Sequence, residues 1–503
     1  MTRIGVALDD AAFAVVRGAA PPGVAPSIVD AGRTQPATAG QAAIATVRTQ
    51  PTAASSRHWF DLAHGRPPAR ESLTIARAEF AVRLAVIANT LPGDDGAGRD
   101  AATIPVDADA DADAGASTGA GAIIAVPAAF DAAALSRVLA ISRAVSLPVR
   151  AFVDSAALTV AALGLPSGAA IVVELGLHHV AATRVDVDGR EARRRSARVR
   201  TRGGLVALQD AWLQLVSEAM VLKTRFDPLH DAATEQRLYE QLPAVAALVA
   251  DAGSAAIGVE PGSAAGDGEA SLRHEVVLSR DQFAVRGEGL FREIVAMLHE
   301  LRPAGAPVTL VVSSRLVDLP GLRERLAAEF AGCELRQVPE GFAAVAAARL
   351  PLEDDGVDRA TAAVPLMRGV PRFEAPLVLP DAPVVVEWLG GAEGAPVELP
   401  THLLWSGRAL PLAGTSIEIG RAPAAGGLVL AEGLAGVSRL HCTVRDEDGV
   451  VVLVDHSRHG SFVNGERVAG RARLRAGDRL RLGDPGVELA LISVGERHGT
   501  PQA

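Results

Sequence analysis

Three stretches near the C-terminal end decide how this chain is read: Ile419-Gly420-Arg421, Val437-Ser438-Arg439-Leu440-His441 and Gly460-Ser461-Phe462-Val463-Asn464-Gly465. Each is a polar island between β-type runs. The runs Ser416–Ile419, Cys442–Arg445, Val450–Val454, Ser461–Val463, Arg479–Leu482 and Val487–Ile492 are separated by Gly, Asn or Asp turns. That spacing predicts an all-β sandwich. The islands supply a guanidinium for bidentate charge-assisted bonds, hydroxyls as neutral donors and an amide that can hold a peptide backbone. Arg421, Ser438, Arg439, Ser461 and Asn464 are therefore the candidate anion-binding residues. Gly420, Gly460 and Gly465 are read as backbone geometry, and His441 as an internal brace. None of these groups is an obvious nucleophile or base, so the pattern suits binding a phosphate rather than cleaving it.

The order Gly-Arg, Ser-x-x-His, Gly-Ser-x-x-Asn-Gly closely resembles the forkhead-associated domain, over about residues 403–493. The resemblance implies a β-sandwich, placed here at 403–495, that recognises phosphothreonine in partner proteins. It implies that Arg421 and Ser438 contact the phosphate and that Arg439 adds charge or forms the rim. Ser461 would line the pocket where the family often has Thr, and Asn464 would bond the ligand backbone. Arg458, in the same loop as Ser461, is a candidate selectivity contact.

Working outward, 496–503 reads as a tail. Residues 351–402 read as a linker, first acidic and Pro-containing, then apolar with room for extra strands. Thr361 within it is a candidate internal phosphosite. Over 1–350 strands and helices alternate, which predicts an α/β fold. Residues 20–56 and 251–270 read as loops, rich in small residues. Residues 92–121 are of low complexity and predict a disordered insertion. Its Asp107–Asp113 run lacks the Gly and closing Glu of a calcium loop. Ser279-Arg280-Asp281-Gln282 predicts a capping box opening a helix to Leu301.

Ala122–Leu163, the hairpin Ile171–Val187 and Val308–Leu326 follow in an order that resembles the nucleotide-binding domain of the seventy-kilodalton heat-shock chaperones. That implies the actin-like, ribonuclease-H-like superfold over about residues 1–350, with Mg-ATP held between two glycine-rich hairpins. The departures are at those hairpins. Where the family has Asp-x-Gly-Thr, this chain has Ala7-Leu8-Asp9-Asp10. Where it has Asp-x-Gly-Gly-Gly-Thr, this chain has Glu174-Leu175-Gly176-Leu177-His178-His179. The adenosine-side Gly-Gly is Ser313-Ser314. Two carboxylates in a phosphate clamp repel a triphosphate. Lost ATP turnover is therefore expected, with no catalytic residue, no metal site and no obligatory cofactor.

Composition narrows the remaining classes. The net charge of −10 argues against general nucleic-acid binding. Lys223 is the only lysine, so nearly all basic residues are Arg. The run Arg190–Arg202 is read as a charged hairpin edge. Hydrophobic residues are 49% but aromatics only 3%, which predicts cores built from small side chains. Cys333 and Cys442 form no framework, and no stretch reads as a signal peptide or a membrane span. A soluble cytoplasmic protein is expected. The sequence reading is a phosphothreonine-dependent adaptor in bacterial-type Ser/Thr kinase signalling, partnered by a kinase or its substrate. The alternative is a divergent chaperone-like ATPase regulated by its C-terminal domain, with Asp9, Asp10 and Glu174 rearranged around a metal.

Overall fold

The computed structural model describes residues 3–30, 37–64, 70–89, 121–260, 273–304, 306–351, 364–379, 382–390, 400–412, 414–430, 434, 436–447, 450–484 and 486–493. Nearly all of the predicted insertion, Thr361 and the 496–503 tail lie outside them.

The α/β part is one topology used twice. In the first sheet, Ile4–Ala7, Phe13–Arg17 and Gly23–Ala25 form an antiparallel meander. Ala122–Val126 and Val149–Asp154 then add in parallel on the other side of Ile4–Ala7. In the second sheet, Gly168–Leu175, Val180–Val187 and Glu191–Arg200 make the meander. Val308–Ser313 and Glu334–Val338 add in parallel beside Gly168–Leu175. Each fifth strand runs into a helix, Ser155–Leu163 or Phe342–Arg349. These two helices pack together between the sheets. They are rich in Ala, and that lets the backbones approach closely. A Cβ on Gly5 would stand 2.0 Å from the Ala344 carbonyl oxygen, so only glycine admits the second helix onto the first strand.

The second lobe carries a helical cap. Leu205–Thr224, Ala232–Ala252 and Arg280–Leu301 pack over the hairpin Ser254–Val259/His274–Ser279. Leu205–Thr224 is long and apolar enough to cross a membrane, yet Trp212, Leu213, Val216 and Met220 pack it into this core. Arg280–Leu301 begins with a formed capping box between Ser279 and Gln282.

Several expectations need correction. Residues 20–56 are not a bare loop: they form Gly23–Ala25, Val29–Asp30, Thr38–Ala39 and Ala54–Ser55, with the short helix Gln41–Ile44. The 251–270 loop contains the first strand of the cap hairpin. The 351–402 linker is partly sheet. Leu366–Met367 pairs with Val149–Asp154, Gly369–Pro371 with Glu191–Arg200 and Val385–Trp388 with Glu334–Val338. The α/β part thus extends to about residue 390, because edge strands need so few residues to find a partner. The basic strand is tied down by carboxylates. Arg194 meets Asp154 at 2.8 Å, Arg198 meets Glu300 at 2.8 Å and Arg200 meets Glu293 at 3.1 Å.

The C-terminal part is a sandwich of two antiparallel-dominated sheets. One contains His402–Trp405, Arg408–Pro411, Ser461–Val463, Glu466–Arg467, Arg479–Gly483 and Gly486–Ile492. The other contains Ser416–Gly420, Leu428–Val429, Cys442–Glu447, Val450–Asp455 and Arg471–Arg473. Leu403, Ile419, Cys442, Val444, Leu453, Val463, Leu480 and Leu491 fill the space between them.

Candidate functional site

One end of the sandwich gathers its polar loops. The Arg421 backbone N–H donates to the Ser438 carbonyl at 3.1 Å, and Ala422 N–H to the Arg439 carbonyl at 2.9 Å. This approach needs Gly420, where a Cβ would stand 2.0 Å from the Arg439 carbonyl oxygen. His441 is fully buried beneath the loops. Its Nδ1 accepts from the Ser438 N–H at 3.1 Å, so the proton sits on Nε2, which donates to the Gly460 carbonyl at 3.2 Å. Burial holds its pKa below the usual imidazole value, which keeps the ring neutral in this bridging role. Ser438 Oγ in turn accepts from the Arg458 N–H at 3.3 Å, and its own O–H has no acceptor among the described residues.

Arg421, Arg439, Arg458 and His459 are all exposed at this end. Among the described residues, none of the three arginines has a carboxylate partner, unlike the arginines of the basic strand. Exposed guanidiniums on the same loops as a serine hydroxyl are what an incoming dianion uses.

Residues 417–483 match the family model of the FHA domain. FHA domains bind phosphothreonine-containing proteins, so a phosphorylated protein partner follows for this sandwich at that general level. No curated protein matches the chain.

Two expected ligand residues of the FHA sandwich face inward instead. Ser461 is fully buried, and its hydroxyl donates to Asp455 Oδ1 at 2.8 Å. It sits on the same strand face as buried Val463. Asn464 is only 6% exposed, and its amide is saturated. Nδ2 donates to Asp478 Oδ1 at 2.8 Å and to the Arg302 carbonyl at 3.2 Å, while Oδ1 accepts from the Arg479 N–H at 2.9 Å. Asn464 and Gly465, at φ 51° and 83°, form the two-residue turn of a hairpin. Asn464 is thus a brace against the α/β part. His459, exposed in the same loop as Arg458, was not singled out by the sequence reading. The visible signal was its place in the polar turn His456–Gly460, between two strands. Gly460 takes φ 86° there, and its N–H donates to Ser457 Oγ at 2.7 Å.

Asn464→Ala should lower stability by about 1–3 kcal/mol, since it leaves buried partners unpaired, while phosphopeptide affinity stays unchanged. Denaturant melts and calorimetric titration of the same variant check both halves.

The second candidate region is the cleft between the lobes. The hairpins that would clamp phosphate touch each other directly. Asp10 Oδ1 accepts from the Leu177 N–H at 2.8 Å. A Cβ on Gly176 would come within 2.6 Å of that same oxygen, so this glycine serves hairpin contact. Arg315 bonds Glu340 at 2.5 Å and stands 3.7 Å from Asp9. Ser155 Oγ donates to Glu174. Ala7, Asp9, Glu174 and Ser313 line a cavity of only about 70 Å³, while Ser314 lines a neighbouring, larger one. Among the described residues, no group of three or more His, Cys, Asp or Glu is placed to hold a metal ion.

Burial pushes Asp9 and Asp10 up to about 6 and Glu174 up to about 8. A raised folded-state carboxyl contributes stability that is complete below its unfolded value and lost as pH rises through the folded one. The Glu174 contribution therefore disappears between about 4.5 and 8. Burial holds His178 and His179 down at about 4, so their contribution is lost as pH falls from 6.5 toward 4. Melting temperature should therefore decline from pH 6.5 to 9, and Glu174→Gln should flatten that decline. A wild-type profile flat over this interval would contradict the placement of Glu174.

Proposed function

We propose that this chain is a phosphothreonine-dependent adaptor in Ser/Thr kinase signalling. In this reading its α/β part is a degenerate actin-like, ribonuclease-H-like module of the heat-shock-chaperone type that no longer turns over ATP. The observation that carries the adaptor reading is the FHA match over a loop cluster that presents Ser438 and the exposed Arg421, Arg439 and Arg458, none of which has a carboxylate partner among the described residues. The partner is a threonine-phosphorylated protein, a kinase or one of its substrates.

The repeated sheet order supports the actin-like reading of the α/β part. The direct Asp10–Leu177 bond supports loss of turnover, since it takes up a hairpin N–H that a phosphate would need as a donor. A ligand that binds the folded state raises its stability by mass action. Millimolar Mg-ATP should therefore leave the melting temperature unmoved, and phosphate release should stay at the buffer rate. Titration of the full chain with a degenerate phosphothreonine library and its phosphoserine counterpart tests the adaptor half. Equal retention of a library lacking phosphate would defeat it.

A further inference from the structure

A larger chamber adjoins the smaller cleft cavity, sharing Ala12 and Glu340 with it, and has a volume of about 480 Å³. That is within the range of small-molecule sites, roughly 300–1,000 Å³. Its floor is apolar and aromatic: Ile28, Leu177, Leu205, Trp212 and Tyr239 are all buried. A strap from the first lobe crosses over it to the helical cap of the second. Gln236 Nε2 donates to the Ile44 carbonyl at 2.7 Å, and the Arg48 N–H donates to Gln236 Oε1 at 2.8 Å. The Arg48 guanidinium lies 4.5 Å from the Tyr239 ring centre and pairs with Asp210 at 2.5 Å.

The chamber's polar groups are unevenly distributed. Gln209 lines it and is 7% exposed. Its Oε1 accepts from the Tyr239 hydroxyl at 3.3 Å, but its Nε2 has no hydrogen-bond partner among the described residues. That amide N–H is open to a ligand acceptor entering the chamber. The lining holds three carboxylates, Glu240, Asp318 and Glu340, against one guanidinium, Arg315. Arg315 is already taken by Glu340, and the carboxylates of Glu240 and Asp318 are exposed at the mouth, Glu240 Oε1 accepting from Gln236 Nε2 at 2.8 Å. Negative charge at a low-dielectric mouth attracts cations and repels anions.

We propose that this chamber is a binding site for a small, flat organic cation. The ligand's ring would lie on the Trp212 and Tyr239 floor, an acceptor would meet Gln209 Nε2, and its positive group would face Glu240 and Asp318. The site excludes nucleoside phosphates, whose charge has the wrong sign for the mouth. It uses none of the residues of the phosphothreonine site, so either can fail without the other.

Three matched fragments test this on the full chain: benzamidine, benzamide and benzoate, with Mg-ATP as a fourth probe. Saturation-transfer NMR and thermal shift at millimolar fragment supply the readout. Benzamidine should bind, benzamide more weakly, and benzoate and Mg-ATP not at all. The double variant Glu240→Gln/Asp318→Asn should weaken benzamidine several-fold while leaving benzamide unchanged. Ala244→Trp, which fills the chamber from an exposed helix position, should abolish both signals. If Ala244→Trp fails to fold, the double variant decides. Failure of benzamidine to bind, benzoate binding as well as benzamidine, or benzamidine binding untouched by the double variant would each overturn the assignment.

Discussion

Arg421→Ala should lower affinity for a phosphothreonine peptide by about 100-fold or more. A bond from a charged donor contributes about 1.5–3 kcal/mol, and a bidentate guanidinium supplies two. Starting from the micromolar class, about −8 kcal/mol, such a loss leaves binding hard to detect. Arg421 is exposed and its side chain has no carboxylate partner among the described residues, so truncation should leave folding stability within about 0.5 kcal/mol of wild type. Arg421→Lys keeps the charge but loses the fork, and should recover only part of the affinity. Calorimetric titration of the three proteins checks the order. Wild-type affinity in Arg421→Ala would remove Arg421 from the site.

Asp478→Ala should be the most destabilising single change in the sandwich. Asp478 is fully buried and Arg302 is 4% exposed, and they meet at 2.6 Å. Asp478 Oδ1 also accepts from Asn464, and Oδ2 from the Arg475 N–H at 2.7 Å. Removing one partner of a buried ion pair strands the other, at a cost of about 3–5 kcal/mol. The stranded group is the Arg302 guanidinium, at the end of the α/β part's longest cap helix. Gly477 packs beside it so closely that a Cβ would stand 2.4 Å from the His299 ring. Ala304 adds an apolar contact to the sandwich core. Hydrogen exchange should therefore report loosening at both Arg302 and the Asn464 turn. Arg302→Met/Asp478→Leu should recover much of the loss, because an apolar pair needs no compensation. A single variant as stable as wild type would show that the two parts are not latched there.

The sandwich was legible because its turns carry Gly, Asn and Asp between β-type runs. The loops holding Arg421 and Ser438 were legible for the same reason. The orientation of Ser461 was also within reach. Strand residues two apart share a face, and Val463 is an apolar inward residue, so Ser461 had to point inward too. Asn464-Gly465 carried the strongest short-range signal for a two-residue hairpin, and a functional pattern was laid over a structural one. The Arg302 latch was not legible: its partners lie more than 160 residues away, and no local periodicity encodes such a meeting. The edge strands at Leu366–Met367, Gly369–Pro371 and Val385–Trp388 are two to four residues long, too short for a period to show. The carboxylates of Asp9, Asp10 and Glu174 were visible in the sequence. That Asp10 bonds the opposite hairpin needed the two lobes in place.

The most direct test of the account is a calorimetric titration of the full chain with one phosphothreonine peptide, chosen from the library, and its unphosphorylated twin. The phosphorylated peptide should bind in the micromolar range, more weakly as salt is added, and the twin should show no measurable binding. Equal affinity for both would contradict it.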